Sequence, residues 1–424
     1  MNKEVKSLLI TFISIFIGAS IGLLCKKYNI TDFVVFNIQD LQKIGILFIC
    51  LIKMITIPMI FLSIISSFLY QKQQINNFKL ITFSFFIFIF MTLICVLIGQ
   101  ISGIILGPGY NITFDKNQIM NDSANATSLM LSSAKNIGNI KDFIFSCMPT
   151  NILEPILHGN MLQVMVLSCI LGIGAKKLSI TSQSKMKEFL SIFIDLLHII
   201  AKNIMKCSSV IIFCTITWLF AVQNLTTIYT LSKLIFVMLI NSIFIIYFLY
   251  SLILFSLKLS PIKFIIKMTK IQIMTFINSS SSSFIPALMK LSKEKFGMSD
   301  TGADFVIPLS ASMDKNGSGL YLSLTTIFLA QLFAIDLTLN QHIFIFLMSS
   351  LCAICTPSVP AASLLLLGNI ITPIGIPIEA IGIILIIDRF LDMIRSVINI
   401  TGDAIAAIII DSHFKLLNKN SFNS

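Results

Sequence analysis

Charge is what this sequence is short of. Only 12% of its 424 residues are Asp, Glu, Lys or Arg, about half the share usual in soluble chains. A soluble globule could not be covered with so few. With 56% hydrophobic residues and a mean hydropathy of +0.93, the chain reads as a polytopic membrane protein, to which counting soluble domains by length does not apply. Acidic residues are the scarcer sign, 19 against 30 basic ones. The surplus lysines gather in short loops between apolar runs, which is the positive-inside signature rather than a nucleic-acid surface. Histidine is also rare. His158, His198, His342 and His413 lie far apart, and neither an HExxH helix nor a GxSxG elbow occurs, so the sequence does not read as an enzyme. The nine cysteines are an odd number scattered mostly through apolar runs, as small core hydrophobes are. Cys352 and Cys355 form a CxxC inside an apolar segment with no partner pair, which is not a metal or redox pattern. No cofactor is expected beyond co-transported ions.

Long apolar runs are abundant. Those near 7–25, 44–69, 79–106, 160–175, 189–220 and 230–257 each suit one crossing of a bilayer. The fourth is short. Lys3 and Lys6 precede "SLLITFISIFIGASIGLLC", which lacks a small-residue cleavage site and reads as an uncleaved first span. Lys72 and Lys79, then Lys176, Lys177, Lys185 and Lys187, then Lys258, Lys263, Lys267 and Lys270 fall on the N-terminal side of the membrane if each run crosses once. That side is expected to be cytoplasmic. The polar stretch 107–150 then lies outside; its Asn-x-Ser/Thr triplets at Asn111, Asn121 and Asn125 read as chance in an Asn-rich chain.

Two later segments are not simple spans. "IQIMTFINSSSSSFIPALMKL" has five serines and Pro286 near its centre and lysines on both flanks, as a hairpin entering and leaving from the cytoplasm requires. "IFIFLMSSLCAICTPSVPAASLLLLGNII" has Pro357 and Pro360 at its middle and no Lys or Arg beside it, as a hairpin from outside requires. Between them, "ASMDKNGSGLY" places Asp314, Lys315 and Asn316 with two glycines inside an apolar segment. Irregular backbone at membrane depth survives only beside protein or a water-filled cavity, so these features point to a polar chamber, that of a carrier or a channel.

The last span, about 376–410, carries Asp388, Asp392, Arg395, Asn399 and Asp403 at spacings of four, three, four and four. At helical periodicity they share an arc of about 80°. Each charge at that depth costs at least about 2.5 kcal/mol to insert. One reading is a salt-bridge network, with Asp392 pairing Arg395. The other is a zwitterion site, in which Arg395 offers a planar fork to a carboxylate and Asp392 accepts an ammonium. That argues for an acidic amino acid.

Taken together, "LIKMITIPMIF", "LGPGY", "MPTNILEPILHGNMLQVMV", the serine tip with Pro286, "MDKNGSGLY", "TPSVPAAS" and "DMIRSVINITGD" resemble, in order and spacing, the dicarboxylate/amino acid:cation symporter family, the glutamate transporter homologues. The resemblance implies an all-α membrane fold of eight transmembrane helices and two re-entrant helical hairpins, assembled as a homotrimer and working by alternating access. It divides the chain into scaffold helices at 1–78, helix 3 at 79–106, an outer loop at 107–150, scaffold helices 4 and 5 at 151–229, and a transport domain at 230–424 to which helix 3 also belongs. That last domain holds helix 6, hairpin 1 at about 262–292, helix 7 at about 303–334, hairpin 2 at about 340–375 and helix 8 at about 376–410.

Carried over by position, the resemblance gives Arg395 the side-chain carboxylate of the substrate, Asp392 its amino group, and Asn399 with Ser280 and Ser281 its α-carboxylate. Ser318 and Ser396 stand where the family has threonines near the ligand, and Val359 lends backbone from the second tip. Asp403 and Asn399, with the backbone of Ser310, match a cation site, and a sodium ion could be held by Asp314, Asn399 and Asp403. Thr92 survives from the third-span hydroxyls that support a second one, where Phe88 and Met91 replace the usual Tyr and Thr.

The departures concentrate in one motif. The family's Asn-Met-Asp-Gly-Thr is here Asp314, Lys315, Asn316, Gly317, Ser318, so a sodium-binding aspartate is Asn316 and a methionine is Lys315. The second tip has Ala361, Ala362 and Ser363 where glycines are common. Residues 314–319 are expected to be unwound, freeing carbonyls for cations. A lysine buried there is either paired, with Asp314 or Asp403, or neutral. Its ammonium either stands in for a sodium, with coupling moved towards protons, or snorkels to a cavity while sodium coupling persists. The implied function is import of glutamate or aspartate with protons, sodium or both. The alternatives are a cystine or C4-dicarboxylate symporter and a small-anion channel. An Ile-, Phe-, Lys- and Asn-rich composition suits an AT-biased bacterial genome and an inner-membrane location with both termini cytoplasmic.

Overall fold

In the computed structural model, residues 3–28, 37–69, 78–110, 148–149, 151–158, 161–206, 208–222, 225–356, 362–377 and 380–423 are described. All regular elements among them are helical. They are α1 (Lys3–Tyr28), α2 (Ile38–Leu69), α3 (Phe78–Leu106), α4 (Glu154–His158), α5 (Met161–Ala175), α6 (Ile180–Lys206) and α7 (Ser208–Val222). After these come α8 (Leu225–Ile243), a π-helical turn at Phe244–Leu249, and α9 (Tyr250–Ser256). Then follow α10 (Pro261–Asn278), α11 (Ile285–Lys295), a second π-helical turn at Thr301–Val306, α12 (Ile307–Met313), α13 (Asn316–Leu332), α14 (Leu339–Ile354), α15 (Ala362–Ile371), α16 (Ile381–His413) and α17 (Lys419–Asn423).

Helix ends follow local chemistry. Prolines stand in the first turns of α10, α11 and α12, where a missing N–H costs nothing. Pro286, expected near the centre of its segment, opens α11 just after the serine tip. Thr338 and Gln341 form a reciprocal capping box at the start of α14.

Two expectations change in detail. The apolar run 189–220 is not one helix: it is divided between α6 and α7, so the stretch 151–229 holds more than two helices. Six charged residues, from Lys185 to Lys206, make α6 amphipathic rather than uniformly apolar. The unwound piece of the seventh span is also shorter than 314–319. Only Asp314 (φ −86°, ψ 90°) and Lys315 (φ −111°, ψ 57°) leave the helix. Asp314 N–H still closes the last turn of α12 on Ser310 O at 2.6 Å, and Gly319 N–H already opens α13 on Lys315 O at 2.9 Å.

Among the described residues, three stretches are long and apolar enough to cross a membrane: Thr82–Leu106, Tyr229–Ser256 and Ile387–His413, with mean hydropathies of 2.5, 2.3 and 1.6. The first two leave large apolar side chains such as Phe86, Phe90, Phe244 and Phe248 on the outside, as lipid-facing helices do. The third is 89% buried. α16 is thus the axis of its half of the molecule, packed by α3, α8, α10, α12, α13 and α15. In the other half α1 lies along α7, and α2 against α5, α6 and α7. α13 lies close to its neighbours. A Cβ on Gly99 of α3 would sit 2.6 Å from Leu320 O, and one on Gly317 would sit 2.3 Å from Arg395 O of α16. Small residues here let backbones touch.

Candidate functional site

The stripe on α16 faces inward throughout its length. Asp388, Asp392, Arg395, Asn399 and Asp403 are each at most 5% exposed, so none of these groups is satisfied by bulk water. Arg395 and Asp392, one turn apart, form a buried ion pair through Nη2 and Oδ1. The guanidinium lies over the ring of Tyr321, 5.4 Å from its centroid, a cation–π contact. Tyr321 Oη donates to Asp388 Oδ1 at 2.8 Å, tying α13 to the upper part of the stripe. Nη1 of Arg395 is buried and has no hydrogen-bond partner among the described residues. An orphaned donor on a charged group costs about 1–3 kcal/mol or more, so this edge of the fork is poised for an acceptor.

The break in α12–α13 lies beside the lower part of the stripe. Asn399 Oδ1 accepts the Gly317 N–H at 2.8 Å, satisfying one of the donors that the start of α13 leaves open. Asp314 Oδ1 accepts from Thr92 Oγ1 at 3.4 Å, and Oδ2 from Asn316 Nδ2 at 3.1 Å. Asn316 Nδ2 also donates to Tyr250 Oη at 3.2 Å. Ser310 Oγ donates to Asp403 Oδ1 at 2.8 Å. Lys315 is buried, with Nζ bonded to Ala311 O at the end of α12. Two acceptors stay without a hydrogen-bond partner among the described residues: Asp403 Oδ2 and Asn316 Oδ1.

The structure thus brings together Thr92, Ser310, Asp314, Lys315, Asn316, Asn399 and Asp403 around the break, and Asp392 with Arg395 above it. Ser318 and Ser396 are buried on the two facing helices. Ser280 is instead bonded within its own tip, to Ser282 and Ser283 at 3.3 and 3.0 Å, and Ser281 is buried beside it. Val359 lies outside the described residues.

Sequence reasoning passed over three members. Arg389, whose Nε and Nη1 are buried with no hydrogen-bond partner among the described residues, is next to Asp388 but about 100° around the helix from it. The other two are Tyr250 and Tyr321, whose hydroxyls bond Asn316 and Asp388. The one available signal was that a buried Tyr hydroxyl needs a partner. Tyr250 is the first residue after the π turn at Phe244–Leu249, and such turns often mark functional positions.

Comparison with known proteins agrees with this geometry. Residues 8–413 match the sodium:dicarboxylate symporter family. The chain is 29% identical over 377 residues to a proton/sodium-glutamate symport protein of Geobacillus stearothermophilus, covering 87% of this chain and 86% of that one. It is 25% identical over 381 residues to the proton/glutamate-aspartate symporter of Escherichia coli (strain K12), with 89% and 86% covered. It is also 25% identical over 376 residues to a C4-dicarboxylate transport protein of Bacillus subtilis (strain 168), with 88% and 87% covered. With a buried arginine, a broken helix and a sequence match running nearly end to end, the chain belongs to the sodium:dicarboxylate symporter family, a family of membrane transporters.

Proposed function

We propose that the protein is a secondary symporter that imports an acidic amino acid, glutamate or aspartate, together with a monovalent cation. The observation that carries this reading is the buried Arg395, whose Nη1 has no hydrogen-bond partner among the described residues. A carboxylate at that edge would complete the fork, and the substrate ammonium would compete for Asp392. Asn399 with Ser280 and Ser281 would meet the α-carboxylate once the tip serines exchange their mutual bonds for the ligand, Ser318 and Ser396 would lie beside it, and Val359 would lend backbone. The relatives named for glutamate and aspartate support this choice.

In this reading α10–α11 and α14–α15 are the two re-entrant hairpins, and the remaining helices make eight spans. The half built on α16 moves against the half built on α1 and α2, in a homotrimer within a bacterial inner membrane. The lysines of α10 and α11 face the cytoplasm together with both termini. Alternating access then carries the site past a fixed scaffold.

A C4-dicarboxylate carrier is the second reading, and the Arg395–Asp392 pair itself favours it. A diacid without an ammonium would dock on Nη1 and leave the pair intact. Counterflow in liposomes of purified protein separates the two. Labelled glutamate should be accumulated against internal glutamate and aspartate, with succinate and cystine competing at least about tenfold less well. Stronger competition by succinate makes the protein a diacid carrier. A conductance without counterflow of any acid makes it a channel.

A further inference from the structure

The break between α12 and α13 holds a cluster of buried charge-bearing groups that the substrate reading does not use. Two carboxylates, Asp314 and Asp403, are fully buried there, and Lys315 is 1% exposed. Both carboxylates lie within Coulombic range of the Lys315 ammonium. Nζ is also bonded to Ala311 O, at the C-terminal end of α12. Carbonyls at a helix C-terminus carry partial negative charge and favour a cation. Three separate sources of negative potential therefore converge on the place that this side chain occupies.

The other groups facing it are neutral or committed elsewhere. Thr92, Asn316 and Ser310 donate to the two carboxylates. Tyr250 and Cys95 line the Asp314 side, and Arg395 is paired with Asp392. Without Lys315 the pocket would hold two buried carboxylates and no cation beside them, a state that a protein interior penalises. With it, one is neutralised by a tethered group that cannot leave.

We propose that Lys315 is a resident cation: its ammonium occupies the position at the α12–α13 break that a dissolved sodium ion would otherwise have to fill, so substrate binding here needs no sodium at that position. The tether has a thermodynamic consequence. A dissolved ion contributes binding free energy that grows with its concentration, whereas a covalently held one contributes a constant. The substrate affinity of the wild-type protein is therefore flat in sodium.

This inference rests on the acidic-substrate reading only for its transport readout, so the test has two independent arms. In the first, thermal unfolding of purified, substrate-free protein is followed while sodium replaces choline at constant ionic strength, for wild type and for Lys315→Met. Wild type should show no sodium-specific stabilisation, and Lys315→Met should gain one. In the second, glutamate and succinate binding are titrated with and without about 100 mM sodium. Wild-type Kd should change by less than about twofold, and that of Lys315→Met should fall by about tenfold or more. A sodium-stabilised wild type whose Kd falls with sodium overturns the proposal, whether or not Lys315→Met can be purified. A Lys315→Met protein that folds and ignores sodium in both arms also overturns it. If neither acid binds under any condition, the substrate reading fails, while the first arm still decides for or against the resident cation.

Discussion

At the scale of single residues, the site depends on how closely two backbones approach. Gly317, in the first turn of α13, donates its N–H to Asn399 and leaves no room for a methyl group against Arg395 O. Gly402 plays the reverse part: a Cβ there would lie 2.4 Å from Asn316 Nδ2. Glycine at these positions allows the broken helix to rest on the stripe that carries the arginine. Gly317→Ala is expected to force the start of α13 away from α16 and stretch the Asn399 bond. The change should cost about 1–3 kcal/mol of stability and weaken glutamate binding, both visible in thermal unfolding and a binding titration of the purified variant. Unchanged affinity and unfolding temperature would show that the contact is not as close as described.

At the scale of elements, the C-terminal helix closes the end of the α10–α11 pair. Phe422 is buried and stacks on Phe296, which stacks in turn on Phe264, each pair 5.3 Å apart. Lys267 Nζ donates to Phe422 O at 2.9 Å, Asn418 N–H to Gly297 O at 2.9 Å, and Ser260 N–H to Asn423 Oδ1 at 2.9 Å. α17 thus clasps both arms of the pair. Phe422→Ala should remove about 3–5 kcal/mol of packing. It should speed tryptic cleavage near Lys258 and Lys263 while leaving the Arg395 site intact, which proteolysis alongside glutamate binding would reveal. Equal cleavage rates in wild type and variant would make the clasp ornamental.

Elements also show what the sequence could and could not reveal. The stripe on α16 was legible because helical periodicity turns spacings of three and four into one face, and buried charge is too costly to place at random. The helix break was legible as a polar, glycine-containing interruption. Its short extent, Asp314 and Lys315 alone, was not, because Asn316 is tied at the start of α13 by Tyr250, a partner that sequence distance hides. The division of 189–220 was missed because a hydropathy window averages over the charges that separate α6 from α7. The Phe422 clasp was invisible for the same reason as Tyr250: its partners lie far away along the chain.

At the scale of the whole molecule, one half wraps α16 and the other is built from α1, α2 and α5–α7. Between them lie modest contacts, such as Ala362 of α15 with Ile55 and Met59 of α2. A boundary of this kind suits a carrier in which one half slides past the other. The charges that such a movement would transport all belong to the α16 half. The account stands on Arg395 as the group that selects the substrate. The most direct test is glutamate binding to purified wild type and Arg395→Thr, both shown to be folded by thermal unfolding. Removing one partner of a buried charge pair costs about 3–5 kcal/mol, and each 1.4 kcal/mol is tenfold in Kd. The account therefore predicts at least about a hundredfold weaker glutamate binding in the variant, whereas glutamate affinity retained within a few-fold would contradict it.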